Sequence, residues 1–287
     1  MYVAEARPDI ERALLHHIPT APARVDQRFN EALRYALFPG GKRLRPVMTM
    51  LGAEAVGGCR QSVLSAAASV EFVHTSSLIF DDLPCMDDAS ERRGRAALHL
   101  RYGQGLAVLV ALALMNTSYG LVFDGGSDQK GNEGHAIRAH RELVECIGER
   151  GMVAGQAVDL SVGSDDKSNF FGTVRNLKTS ALMRLSVCLG AILSGANKRQ
   201  LVALSRYAAF VGDAYQISDD VLDVEEDAAS SASGATVAIV YGIADAKKQA
   251  AALITQAKNA LTTEFGFESQ PVNLLCEMAD YIVERAA

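Results

Sequence analysis

Long stretches of apolar and helix-forming residues fill most of the chain, and Gly or Pro residues separate them. No segment shows sustained alternation of apolar and polar residues with β-branched side chains and turn pairs, so strands are not expected. The pattern therefore predicts an all-α fold. The predicted helices cover residues 9–37 with a break at 18–22, then 44–56, 61–83, 105–123, 134–161, 170–194, 198–225 and 243–264, and a last helix ends near Arg285.

The segment 105–123 carries no charged residue, and its length meets the threshold of about 18 apolar residues for a membrane span. Polar side chains dilute it, and no flanking feature indicates a topology. We therefore expect a helix buried on all sides in a bundle, and no stable membrane span. Residues 124–131 and the small polar run 226–235 are predicted loops. Nothing in the chain is typical of a domain linker, which predicts one domain over residues 1–287.

Composition narrows the class of protein. Hydrophobic residues make up 49% of the 287 residues and charged residues 22%, which is enough for a large buried core. The net charge of -6 argues against a nucleic-acid partner, because neutralising phosphates requires a basic face. The five cysteines are spread singly, without zinc-site spacing, and the charged N-terminus lacks the apolar core of a signal peptide. These features predict a cytoplasmic protein in a reducing compartment.

Four carboxylates, Asp81, Asp82, Asp87 and Asp88, occupy eight residues directly after an apolar helix. Like charges this close together repel one another, so the cluster is either a solvated helix end or a site that receives a cation. Oxygen-only ligands favour Mg²⁺ or Ca²⁺ over zinc.

A second acidic group occupies residues 219–227 and includes Asp219, Asp220 and Asp223. Positions 219, 223 and 227 are four residues apart and so share one helix face. No Lys or Arg lies between residues 206 and 247, which leaves this face without a local counter-ion. Two such clusters, each behind an apolar helical stretch, favour opposing walls of one metal site.

Residues 40–46 read Gly-Gly-Lys-Arg-Leu-Arg-Pro, a glycine turn that places three cations at the start of a predicted helix. Backbone amides at a helix N-terminus, together with a Lys and a forked Arg, suit a phosphate group; a positive loop that only aids solubility is the alternative. Arg92, Arg93 and Lys178 are further candidate cations. A ligand with several phosphate groups, bound to the carboxylates through Mg²⁺, would account for both kinds of charge.

Taken in chain order, these motifs and several shorter ones resemble the signature of the trans-type isoprenyl diphosphate synthases. The resemblance covers nearly the whole chain and is nearest to the short-chain geranylgeranyl and farnesyl diphosphate synthases. The matching segments are the glycine turn 40–46, Glu71-x-x-His74-x-x-Ser77-Leu78 leading into the acidic motif 81–87, Arg92-Arg93-Gly94, Gly155-Gln156, Lys178-Thr179 and Tyr215-Gln216-x-x-Asp219-Asp220-x-x-Asp223.

The resemblance implies a single-domain, all-α bundle of the isoprenoid synthase type around a central cavity, in a homodimer that uses isopentenyl diphosphate and an allylic diphosphate. It implies that two facing motifs hold Mg²⁺: Asp81, Asp82 and Asp87 on one side, and Asp219 with Asp220 and Asp223 on the other. It implies isopentenyl diphosphate contacts from Lys42, Arg45, His74 and Arg93. It implies allylic diphosphate contacts from Arg92, Lys178, Thr179 and Gln216, with a catalytic role for Lys178 beside the six aspartates.

Such a site needs no covalent nucleophile. By the same resemblance, bound metal ions would neutralise charge on the departing diphosphate so that the allylic C–O bond could ionise, and the double bond of isopentenyl diphosphate would attack the cation in a dry apolar tunnel. Ser76 and Ser77, shortly before Asp81, are small where a farnesyl-stopping enzyme of this family carries an aromatic residue. Phe72, one turn further, is the expected floor of the tunnel. Geranylgeranyl diphosphate is therefore the predicted product.

The chain departs from the family pattern after Asp227. Members usually carry two lysines in that loop, whereas residues 228–234 contain neither. Ala89-Ser90 also replace further acids, and Ala111-Leu112 replace a usual Gly-Asp pair. A non-catalytic or weakly active regulatory subunit, a class I terpene cyclase and a purely structural bundle are the alternatives. The two intact aspartate motifs argue against the first, and the lack of a cyclase-type second metal motif argues against the second.

Overall fold

The protein is described here by a computed structural model, which covers residues 2–22, 24, 27–38, 40–127, 133–161, 176–227 and 242–284. Helices dominate these residues, which confirms the all-α prediction. They are α1 Tyr2–His17, α2 Gln27–Leu37, α3 Leu44–Ala55, α4 Leu64–Asp81, α5 Leu98–Tyr102, α6 Gln104–Ser127, α7 Glu133–Ile147, α8 Met152–Ser161, α9 Ala181–Leu193, α10 Lys198–Asp227, α11 Ile243–Phe265 and α12 Gln270–Glu284. A 3₁₀ turn, Arg60–Val63, precedes α4, and a π-helical turn, Asn176–Ser180, precedes α9.

Several predicted boundaries were wrong. Helix α1 begins at Tyr2 rather than at residue 9, and α6 continues to Ser127 through the start of the predicted loop 124–131. The single helix predicted over 134–161 is two helices, because a turn at Gly148–Gly151 closes α7 with backbone hydrogen bonds. Strands β1 (Glu91–Arg92) and β2 (Arg95–Ala96) form an antiparallel hairpin too short for any alternation to reveal. Residues 170–175 and the lysine-free loop 228–234 lie outside the described residues.

The chain divides into two compact units. Unit 1 comprises Met1–Met50 and Cys59–His140, and unit 2 comprises Leu51–Gly58 and Arg141–Ala287. The single-domain organisation over residues 1–287 stays a prediction.

Helix α4 lies at the centre of unit 1, where it packs against α6, α1 and α2. Small residues at 66–69 let the backbones of α4 and α6 approach closely. Two serine hydroxyls of α4 then donate to carbonyl oxygens of α6, Ser69 Oγ to Ser118 O at 3.0 Å and Ser76 Oγ to Ala111 O at 2.9 Å. Because both hydroxyls are buried, each bond also removes the cost of an unpaired polar group. The α4 helix is therefore held in a fixed register along α6.

In unit 2, α10 packs along α11, α9 covers α10, and α12 contacts both α10 and α11. Nearly every side chain of α9 is buried, as its almost uniformly apolar sequence predicts. Tyr207 of α10 is completely buried, and its hydroxyl donates to Leu275 O of α12 at 2.6 Å. Burial raises the pKa of this phenol well above its ordinary value, so the hydroxyl stays a donor.

Helix α6 is not buried on all sides, contrary to the sequence prediction. Leu109, Leu112 and Phe123 are about half exposed, at 55%, 52% and 48%. Two helical segments of the described residues are long and apolar enough to cross a membrane, Arg60–Asp81 and Gln104–Phe123, with 67% and 33% of their most apolar windows buried. Length and composition alone are weak evidence of a span, since core helices of soluble proteins pass the same test.

Candidate active site

The first acidic motif begins where α4 ends. The helix ends at Asp81 rather than at residue 83, because Pro84 disfavours helical backbone in the residue before it. The chain then folds back: the amide of Asp87 donates to Asp81 O at 2.9 Å, and the amide of Asp88 donates to Leu83 O at 3.1 Å. The tight turn thus brings the backbone of Asp87 next to that of Asp81, although six positions separate them.

Asp82 lies within this turn and is 3% exposed. Both Nε and Nη2 of Arg92 donate to its Oδ1 atom, at 2.9 and 2.5 Å. The hydrogen bonds to Asp82 raise the pKa of Arg92 further. The β1–β2 hairpin therefore delivers Arg92 to the carboxylate turn, so the structure brings these two predicted site residues into direct contact.

The three cations of the glycine turn 40–46 lie in different environments. Lys42 is exposed, whereas the Arg43 side chain is completely buried and points inward. Two residues further on, Arg45 lies at the start of α3 with its Nη1 atom 3.3 Å from Nε2 of His74. The turn and α4 thus bring Lys42, Arg45 and His74 to one region of unit 1.

His74 is held as a neutral imidazole. Burial, and then the nearby cations Arg45, Arg93, Arg43 and Arg92, lower its pKa well below the ordinary value of 6.5. Because a guanidinium only donates hydrogen bonds, Nε2 must accept the bond from Arg45 and the ring proton lies on Nδ1. The imidazole can therefore bridge the arginine and a further group without adding charge.

The predicted chain-length residues occupy different surroundings on α4. Ser76 and Phe72 are completely buried, and Ser76 is the residue that donates to α6. Ser77 is half-buried and donates to His74 O within its own helix. Phe72 lies one turn before Ser76, in the order that the sequence predicts.

The second group of site residues belongs to unit 2. The π-helical turn Asn176–Ser180 carries Lys178, whose Nζ lies 3.3 Å from Asp159 Oδ2 on α8. A Cβ atom at Gly155 would lie 2.6 Å from Cγ of Lys178, so only glycine allows α8 to approach this close. Inserted π turns often occur at functional sites, and this one presents Lys178 to the acidic side chain one turn beyond Gly155.

A hydrogen-bonded chain connects the π turn to the second acidic motif. Thr179 Oγ1 donates to Gln216 Oε1 at 3.1 Å, and Gln216 Nε2 donates to Asp220 Oδ1 at 3.4 Å. Asp220 is 4% exposed, and Asp219 beside it is half-buried. The side chain of Asp223 lies outside the described part of the structure. Three of the predicted residues are thereby brought together within unit 2.

The carboxylates present fit a hard divalent cation, since each acidic motif offers oxygen donors without nitrogen or sulfur. Within the described residues, no group of three or more His, Cys, Asp or Glu side chains is close enough to hold a metal ion. The first motif belongs to unit 1 and the second to unit 2, so their facing arrangement stays a prediction.

Three residues near the site, Glu71, Arg43 and Asp159, were not among the site residues that the sequence predicted. Glu71 and Arg43 form a buried ion pair beneath the glycine turn, at 2.6 Å, and Asp159 pairs with Lys178. Asp159 is four residues after Gly155 and therefore lies on the same face of α8. That spacing was available in the sequence as a signal, whereas the inward direction of Arg43 was not.

Comparison with known proteins identifies the family. A family model described as polyprenyl synthetase matches residues 26–259. Geranylgeranyl pyrophosphate synthase 6, mitochondrial, from Arabidopsis thaliana is 33% identical over 304 aligned residues, which cover 99% of this chain and 89% of that protein. The heterodimeric geranylgeranyl pyrophosphate synthase large subunit 1, chloroplastic, from the same plant is 34% identical, covering 92% of this chain and 74% of that protein.

A solved structure agrees with these relatives. The apo crystal structure of an FPP/GFPP synthase from Zymomonas mobilis superposes with a TM-score of 0.86 at 31% identity, covering 98% of this chain and 97% of that one. Both the sequence and the backbone therefore match over nearly the full length. The chain belongs to the polyprenyl synthetase family and is a prenyltransferase that joins isopentenyl diphosphate to an allylic diphosphate.

Proposed function

We propose that this enzyme elongates an allylic diphosphate to geranylgeranyl diphosphate with Mg²⁺ as its metal. The observation that carries the proposal is the pairing in unit 1 of a folded carboxylate turn, Asp81 to Asp87, with cations that converge on the neutral His74. Carboxylates for a cation and cations for a diphosphate are what two diphosphate substrates require. The relatives named as geranylgeranyl pyrophosphate synthases support the product.

Separate groups of residues bind the two diphosphate substrates and the metal. Lys42, Arg45, His74 and Arg93 hold isopentenyl diphosphate; Arg92, Lys178, Thr179 and Gln216 hold the allylic diphosphate. Members of this family generally depend on a divalent metal, and Asp81, Asp82, Asp87, Asp219, Asp220 and Asp223 would bind it here. The bound metal would supply positive charge that stabilises the leaving diphosphate. The partly buried Thr179–Gln216–Asp220 chain holds these polar groups of unit 2 in place, which lowers the reorganisation needed when charge develops.

Incubation of the full chain with Mg²⁺, isopentenyl diphosphate and, in turn, dimethylallyl, geranyl and farnesyl diphosphate tests the function. We expect elongation to a C20 diphosphate, identified by chromatography after dephosphorylation. A cyclic hydrocarbon would indicate a terpene cyclase instead, and no turnover with any primer would contradict the proposal. Ca²⁺ and Mn²⁺ in parallel reactions show whether Mg²⁺ is the metal that supports turnover.

Single substitutions test the metal assignment. Asp81→Ala and Asp219→Ala should each lower kcat by orders of magnitude, because each removes a metal ligand from one acidic motif. Circular dichroism should show little change, since neither carboxylate belongs to the buried apolar core. Asp280→Ala removes a carboxylate that pairs with Lys258 far along the chain and serves as the control. Near-normal turnover in either site variant would contradict the assignment.

We propose a homodimer that buries the exposed apolar face of α6. Leu109, Leu112 and Phe123 recur at helical spacing on that face, and a second copy of the chain offers the matching apolar surface. Leu112→Glu should halve the mass measured by light scattering, whereas Leu100→Glu on α5, 58% exposed, should leave it unchanged. A monomeric wild-type chain would overturn this proposal.

We also propose that the protein works in the cytoplasm. Its five cysteines are all free thiols in the structure, which suits a reducing compartment. Fractionation of the source cells, with an antibody to the full chain, is the direct test; recovery in a membrane or organelle fraction would contradict it.

A further inference from the structure

A buried ion network lies directly beneath the glycine turn 40–46. Arg43 donates from Nη1 to Glu71 Oε1 at 2.6 Å, from Nε to Glu11 Oε1 at 2.9 Å, and from Nη2 to Glu11 Oε2 at 3.2 Å. Its Nη2 also donates to Leu37 O at 2.8 Å. The Arg43 and Glu71 side chains are 0% and 3% exposed. Such a network connects α1, the end of α2, the turn and α4 through one guanidinium.

The turn depends on this network for its shape. Arg43 has a φ of 57°, a left-handed conformation that non-glycine residues rarely adopt. A Cβ atom at Gly40 would lie 1.9 Å from Cζ of Arg43, so the guanidinium occupies the space that a side chain there would need. Lys42 and Arg45 flank Arg43 in this turn. Their positions are therefore set by the buried contacts of Arg43.

Glu71 reaches a second segment as well. Its Oε1 atom lies 3.8 Å from Nη2 of Arg93 on the β1–β2 hairpin. The Arg93 guanidinium also lies against the turn, because a Cβ atom at Gly41 would be 3.5 Å from its Cζ atom. Burial and the neighbouring arginines lower the pKa of Arg93, whereas Glu71 raises it. One buried carboxylate thus lies between guanidiniums that would otherwise repel each other.

We propose that Glu71, acting through Arg43 and Arg93, is a positioning residue that assembles the isopentenyl diphosphate subsite before the substrate arrives. It holds the glycine turn and the hairpin arginine at a fixed spacing, so binding does not have to bring like charges together. The inference rests on the proposed assignment of Lys42, Arg45, His74 and Arg93 to that diphosphate. The Glu71 side chain is 3% exposed and lies against Arg43 and Arg93, so it acts through these two arginines rather than directly on the substrate.

The change in isopentenyl diphosphate binding when Glu71 loses its charge distinguishes three possible roles of this residue. If Glu71 acted only as a nearby negative charge, its removal would strengthen the binding of an anionic substrate. If it positions the cations, Glu71→Gln should weaken that binding, because the guanidiniums lose the charge that holds them together. A purely structural role would lower stability and affect both substrates alike.

The test compares Glu71→Gln with Glu142→Gln, which removes the charge from a partly buried ion pair away from the turn, that of Glu142 with Arg184 at 2.5 Å. We expect Glu71→Gln to raise KM for isopentenyl diphosphate at least tenfold, with KM for the allylic diphosphate changed less than twofold. Titration calorimetry with isopentenyl diphosphate alone should show the same loss of affinity. Glu142→Gln should leave both KM values within twofold. Glu71→Asp keeps the charge on a shorter arm and should give an intermediate rise; it carries the test if the glutamine variant does not fold.

Equal rises in both KM values, unchanged binding of isopentenyl diphosphate, or tighter binding would each overturn the proposal. Lys42→Gln and Arg93→Gln separate its failure from that of the subsite assignment. If neither of these variants raises KM for isopentenyl diphosphate, the subsite lies elsewhere. If they raise it while the Glu71 variants do not, the subsite stands and only the positioning role of Glu71 falls.

Discussion

Replacing Ser76 with Phe tests how α4 controls product length. Ser76 is completely buried and donates to Ala111 O, so the substitution removes a hydrogen bond worth about 1 kcal/mol. It also adds a ring to a packed contact between two helices, which costs about 1–3 kcal/mol. The sum, about 2–4 kcal/mol, corresponds to a fall in melting temperature of roughly 4–8 °C for a chain of this length. The enzyme should therefore remain folded at assay temperature.

Ser77→Phe is the matched comparison. Ser77 is half-buried, and its hydroxyl bonds only within α4, so its stability loss should be about 1 kcal/mol or less. We expect both variants to shorten the main product from C20 to C15, because each places an aromatic ring on α4 shortly before Asp81. Ser76→Ala removes the hydrogen bond without adding bulk and should leave the product length unchanged.

Product profiles from chromatography, together with melting curves, show whether Ser76 or Ser77 limits the product length. An unchanged C20 product from a folded Ser76→Phe variant would refute the assignment of this position to the tunnel. If Ser77→Phe alone shortens the product, product length is limited on the Ser77 side of α4, and the contact of Ser76 with α6 is purely structural.

The remaining predictions concern unit 2 and His74. Gly155→Ala should lower kcat/KM for the allylic diphosphate, since its Cβ would displace Lys178, whereas Gly134→Ala on α7 has open space and should not. Asp159→Asn should lower the same kcat/KM two- to fivefold in steady-state assays, in line with about 1 kcal/mol for a partly exposed pair; a rise would mean that Asp159 competes with the substrate. His74 has a pKa below its unfolded value, so its contribution to stability is present above about pH 6.5 and lost as pH falls. On acidification, the free energy of unfolding measured with urea should therefore fall less in His74→Gln than in the wild-type chain. Equal pH dependence of the two free energies would contradict this.

Much of the candidate site could be predicted because its chemistry is local in sequence. The four carboxylates of residues 81–88 and the cations of residues 40–46 each form a short motif, and the structure brings Asp82 to Arg92 and Arg45 to His74. Helix existence was equally predictable, since long apolar stretches leave few other folds.

What the sequence concealed depends on contacts between distant residues or on backbone conformation. Arg43 is buried and has a positive φ, a backbone conformation that non-glycine residues rarely adopt and that its sequence neighbours do not indicate. The exposure of Leu109 on α6 depends on which neighbours cover the helix, a property of packing rather than of the apolar run itself. The Lys178–Asp159 pair spans 19 positions, and it forms because a π turn, which has no clear sequence signal, faces a glycine.

The serine contacts between α4 and α6 have a consequence for the evolution of the outer, exposed side of α6. Ser69 and Ser76 donate to carbonyl oxygens of α6, and a carbonyl is present whatever side chain the acceptor residue carries. Alignment of the two helices is therefore insensitive to substitutions on the outer side of α6. Residues on that side can therefore be substituted, by evolution or by design, without moving the helix that carries His74 and Asp81.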